Sequence, residues 1–85
     1  MKHTSTVPGF DGTHEQLAER IGDLYYDALA EFLDLLANKI AVDSEADIGC
    51  GRPKLAAELA GCAEHLSQAA RHIDEAWRIC KPHVR

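Results

Sequence analysis

Residues 53–80 read PKLAAELAGCAEHLSQAARHIDEAWRIC, and this stretch decides the fold. Leu55, Leu59, Cys62, Leu66, Ala69, Ile73, Ala76 and Cys80 follow one another at alternating steps of four and three, the spacing of an unbroken heptad seam on one helix. Ala56, Ala63, Ala70 and Trp77 run along one flank of that seam and widen it to the breadth of a bundle helix. Pro53 suits the first helical position, where its missing N–H costs nothing, and Pro82 disfavours helical backbone at Lys81. The spacing therefore predicts a helix over 53–80.

Toward the N-terminus, the composition changes at 43–52, where Asp-Ser-Glu-Ala-Asp gives way to Gly49-Cys50-Gly51. This segment reads as the connecting loop, with Ser44 and Asp47 at the right distance to cap one short extra turn. Upstream, no proline occurs from Leu17 to Val42 and the only glycine is Gly22, while Thr13 and Gln16 have the form of a capping box. A second long helix is expected over about 13–42. Residues 1–12 hold the turn signals Val7-Pro8-Gly9 and Asp11-Gly12 and read as a flexible lead-in, which leaves 13–85 as one domain. The fold class is all-α, a long antiparallel helical hairpin.

The first helix has more apolar surface than one hairpin mate can cover. One row is Leu17, Ile21, Leu24, Ala28 and Leu35, with Tyr25 and Phe32 beside it; the other is Tyr26, Leu29, Leu33, Leu36 and Ile40. Two rows call for two neighbours. The expected solution is a homodimer in which two hairpins close a four-helix bundle, with Tyr26, Leu29, Leu33, Leu36 and Ile40 at the interface. Chain length points the same way. A compact monomer of 85 residues and 9.3 kDa would keep about 5,000 Å² of the about 13,500 Å² its unfolded chain exposes, burying only roughly 60%.

Charge narrows the function classes. Residues 1–51 carry three bases and ten acids and residues 52–85 six bases and four acids, so the halves are −7 and +2 within a formal net charge of −5. An acidic half against a weakly basic one favours packing of one on the other and argues against an extended phosphate-binding surface, so no nucleic-acid partner is expected. No apolar run reaches the about 18 residues of a membrane span, and the first residues are too polar for an export signal. Cys50, Cys62 and Cys80 lack zinc-type spacing and read as reduced thiols of a cytoplasmic protein.

Three clusters bear on function. Asp23, Asp27, Glu31 and Asp34 form an acidic ridge on the first helix, a docking surface for a basic partner or simply a solvated face. Glu58, Cys62 and His65 lie at i, i+4 and i+7 on the second helix and are the weak candidates for a soft-metal or small-ligand site. The ferritin-like Glu-x-x-His pattern is missing, because Cys62 precedes His65 and Ala69 precedes His72. No glycine-rich phosphate loop or nucleophile–base pattern occurs, and no cofactor is called for. The reading is a small non-enzymatic interaction or regulatory protein that self-associates and presents a helical surface; the alternative is a bundle binding a ligand or metal near Cys62 and His65.

Overall fold

A computed structural model of the chain describes residues 3–84, all helical or irregular, with α1 (His14–Gly22), α2 (Tyr26–Gly49), α3 (Pro53–Cys80) and a closing 3-10 turn, Lys81–His83. The all-α class holds, and α2 and α3 pack against each other along their length as an antiparallel hairpin. Helix α1 packs extensively on neither. Its start is the capping box read from the sequence: the Gln16 N–H donates to the Thr13 hydroxyl at 3.1 Å, and the Thr13 N–H donates to Gln16 Oε1 at 2.9 Å. Met1, Lys2 and Arg85 lie outside the described residues. Of the lead-in, residues 3–12 carry no helix, and the Phe10 ring sits 5.2 Å below the Arg20 guanidinium. A Cβ at Gly12 would come within 2.6 Å of both the Phe10 ring and Gln16 Oε1, so a larger residue there would displace those side chains.

The single helix expected over 13–42 is two helices. Helix α1 ends at Gly22, the Asp23 N–H bonds back to Glu19 and Ile21, and Tyr25 takes an extended conformation (φ −52°, ψ 147°) before α2 begins. The reason lies in α3, which stops at Cys80. With Trp77 already opposite Tyr25, at 6.0 Å between ring centroids, a helix running straight back through residues 13–22 would project past the end of its mate. Unsupported by packing, the sequence breaks at the glycine, where helix costs about 1 kcal/mol relative to alanine.

The loop expected over 43–52 is also corrected. Helix α2 continues to Gly49, leaving Cys50, Gly51 and Arg52 as the connection, with Gly51 at φ +74°, in the left-handed region that suits glycine. Pro53 opens α3 and Cys80 ends it, as the prolines predict.

The third correction concerns the seam. The residues buried between the helices are Ala30 and Ala37 from α2 and Ala56, Ala63 and Ala70 from α3, none more than 8% exposed. The alanine row read as a flank of α3 is the centre line of the contact, and the leucine row is one edge. Ser44 continues the heptad of Ala30 and Ala37, so three small residues on α2 stand against three on α3, with Ser44 beside Ala56 at the turn. Small side chains let the helices approach closely, but no large side chain among the described residues is completely enclosed.

The outcome is a thin molecule. It measures 50 × 30 × 14 Å with a radius of gyration of 15.3 Å, against about 12 Å for a compact globule of this length. If the alanine seam sets the helix spacing, Ala63→Leu should overpack it and destabilise the fold by about 1–3 kcal/mol. Ala57→Leu, on an exposed face of α3, should leave the thermal melt followed by circular dichroism within about 0.5 kcal/mol of wild type.

Candidate functional site: the apolar face of the hairpin

Each residue of an α-helix turns about 100° from the last, so the buried alanines orient everything else. With Ala37 aimed at α3, Leu29, Leu33, Leu36 and Ile40 fall on one side of that direction, while Asp27, Glu31, Asp34 and Asn38 fall on the other. With Ala63 aimed at α2, Leu55, Leu59, Cys62, Leu66 and Ile73 fall on one side, and Glu64, Arg71, Asp74 and Arg78 on the other. In an antiparallel pair the two apolar sides coincide. One cavity of 500 Å³ at the turn brings the two sides together, lined by Ile40, Asp43 and Asp47 from α2, Leu55 and Leu59 from α3, Arg52 of the connection and His3 of the lead-in. The hairpin thus has one side on which apolar rows of both helices meet and one side rich in charge, with Leu35, Val42 and Ile79 exposed singly away from the apolar side.

The five residues predicted for the interface all belong to the apolar side or the seam. Leu29, Leu33 and Ile40 are partly covered by the hairpin itself, whereas Tyr26 and Leu36 remain 42% and 37% exposed. Phe32 and Leu55 extend the exposed apolar surface at the outer edges. At the open end, Leu24, Tyr25, Tyr26, Trp77, Cys80 and Val84 border a shallow pocket of 260 Å³.

Sequence reasoning missed the polar cluster at the turn. Asp43, Ser44 and Asp47 are buried. Lys39 Nζ donates to Asp43 Oδ1 at 2.6 Å, and Arg52 Nε donates to Asp47 Oδ1 at 2.9 Å, with Nη2 of the same guanidinium ion-paired to that oxygen at 2.9 Å. The Arg52 backbone N–H also donates to the Asp47 carbonyl, at 2.9 Å, and the Ser44 hydroxyl donates to the Ala56 carbonyl at 2.7 Å. The Ser44 bond fastens α2 to the start of α3, the Arg52 bonds fasten it to the connection, and the Lys39–Asp43 pair links successive turns of α2, which is why the segment is helix and not loop. The signals available in the sequence were the seven-residue step from Ala30 to Ala37 to Ser44 and the i,i+4 spacing of Lys39 and Asp43.

The acidic ridge is shorter than expected. Asp23 caps α1 and belongs to the bend, leaving Asp27, Glu31 and Asp34 exposed on the charged side of α2. At the far end of α3, the Arg78 guanidinium bonds Glu75 at 2.6 Å, and that hydrogen bond together with its charge holds the Glu75 carboxyl below the usual carboxylate range. Glu58, Cys62 and His65 are all exposed on α3, and among the described residues no three His, Cys, Asp or Glu side chains converge as metal ligands. No described helix is long and apolar enough to cross a membrane.

The chain matches no protein-family model, no curated protein and no solved structure. Its physics is therefore the guide to its role. The turn cluster gives a first test: Arg52→Ala should leave the Asp47 carboxylate buried without its cation and destabilise the protein by about 1–3 kcal/mol. The double variant Asp47→Ala, Arg52→Ala should lose less than the two single variants added together, measured by urea denaturation at one fixed protein concentration.

Proposed function

We propose that this protein is a non-enzymatic helical interaction protein that works by pairing with a second copy, apolar face to apolar face, to make a four-helix bundle with its charged faces outward. The observation that carries this reading is a surplus of exposed surface in a chain whose two long helices bring their apolar rows together on one side. The chain exposes 6747 Å², where a compact protein of its mass keeps about 5,000 Å². A stable interface takes about 800 Å² from each partner, so the surplus is ample for one.

The occupant is a second copy because the face is a helical pair with a heptad pattern on both members, and an identical hairpin supplies the matching pair. In such a dimer Asp27, Glu31 and Asp34, with Arg71 and Arg78 on the same side, remain in water. That outward surface is what the bundle offers to other molecules, and its acidic part suits a basic partner. The cytoplasmic setting expected from the unpaired thiols is compatible with the role, since association needs no disulfide.

Sedimentation equilibrium at micromolar concentration tests the reading, with a dimer expected and a monomer overturning it. Leu36→Asp removes two leucines from each dimer, about 3–6 kcal/mol, and should raise the dissociation constant more than about a hundredfold while α-helical circular dichroism persists. The double variant Asp27→Lys, Glu31→Lys, on the opposite face, should dimerise like wild type.

A further inference from the structure

Resting on the self-association proposed above, the geometry points to one arrangement of the two copies: turns at the same end, with the twofold axis along the bundle, so that α2 of each hairpin lies on α3 of the other. Two closed face-to-face pairings are available to a hairpin. The other sets the turns at opposite ends, lays α2 on α2 and α3 on α3, and carries the twofold across the hairpin at mid-length.

Side-chain size separates them. At mid-length the apolar-side residues turned furthest from the hairpin contact are bulky on α2, Phe32 and Leu36, and small on α3, Cys62, Ala69 and Ala76, while Leu55 adds bulk to α3 at the turn end. Laying each helix on its own copy would set bulk on bulk along one edge and leave the other edge loosely filled, against the close packing of protein interiors. Laying α2 on α3 puts large against small along the middle of the bundle. The register of the hairpin, with Ser44 at Ala56 and Tyr25 at Trp77, then sets Leu36 level with residues 64–66 of the second copy, where it fits between the small Cys62 and Ala69, with Cys62 its nearest thiol.

Polarity separates them as well. Asp43 and Asp47 are buried at the turn end with Lys39 and Arg52, a neutral cluster, while the open end carries Tyr25, Tyr26 and Trp77. With the turns together, cluster meets cluster and aromatic end meets aromatic end. With the turns apart, each ion-paired cluster would be desolvated against the other copy's apolar end, the unfavourable way to bury charge.

A cross-linking experiment on the full chain decides. In a Cys50→Ser, Cys80→Ser background, Leu36→Cys is added and the protein oxidised with diamide, which takes up the two thiol hydrogens as each disulfide forms. The proposed arrangement yields covalent dimers whose disulfide-linked peptides join position 36 of one copy to Cys62 of the other. Dimers joined from Cys62 to Cys62, or from 36 to 36, overturn the arrangement and leave self-association standing. A chain that sediments as a monomer before oxidation, in the Cys50→Ser, Cys80→Ser background with Leu36 intact, overturns both. Bonds from 36 to 62 within one chain of a sedimenting dimer also count against the arrangement.

Discussion

Alanine against alanine along the α2–α3 seam is the constraint on which the rest of this structure depends. Ala30, Ala37, Ala56, Ala63 and Ala70 are the residues the hairpin truly buries, and Ser44 extends the row to the turn. Small side chains let two helices approach closely, but each buries little. A methyl-sized group is worth about 0.8 kcal/mol on burial, and a leucine about 1.5–3. The leucines, Phe32 and the tyrosines therefore line the margins of the seam, partly covered at best. A fold whose strongest apolar groups are left half-wet has much of its apolar surface still to bury, which is the physical ground for the pairing proposed above.

Much of this was legible in the sequence. The heptad in 53–80, the proline at each end of α3 and the Thr13–Gln16 capping box are local signals, and each corresponds to the observed element. What failed were inferences that required knowing where one helix ends relative to another. Nothing in residues 13–42 alone says that α3 stops level with Gly22, so a periodic pattern reading through one glycine looked continuous. Likewise, a row of leucines beside a row of alanines does not reveal which faces the mate. Hydrophobicity favours the leucines, but the short Cys50–Arg52 connection and the Ser44–Ala56 bond hold the helices where alanine fits. The apolar site was read in part, because its five predicted residues do fall on the apolar side, although Leu33 and Ile40 are shared with the hairpin's own contact.

The polar turn shows why composition misleads locally. Asp43, Ser44, Glu45 and Asp47 look like a solvated loop, yet three of the four are buried. Carboxylates tolerate burial only when paired and hydrogen-bonded, and Lys39 and Arg52 supply that from opposite sides of the turn. Both cations keep more than half of their own side-chain surface exposed, so each joins a sheltered anion to water. An arrangement of this kind adds little net stability over an apolar replacement of the same shape. Its value lies in excluding alternatives, as buried polar groups do when they fix register in coiled coils.

That exclusion matters because the seven-residue repeat is degenerate. Alanine recurs every seventh residue on the inner seam, and on the outer face Leu29 and Leu36 recur on α2 as Cys62 and Ala69 do on α3, so a shift of one heptad would preserve small-on-small contact within the hairpin and large-on-small contact in the proposed pair. Within the hairpin the three-residue connection forbids the shift. Between hairpins no covalent tie does, and a shifted pair would leave one apolar end uncovered, free to recruit a further copy into an open-ended stack. The cluster of Asp43, Asp47, Lys39 and Arg52 opposes this because a one-heptad slide would press ion-paired carboxylates onto the leucines of the neighbour. In the proposed pairing, closure at two copies would follow from placing charge at one end of an otherwise repetitive apolar face.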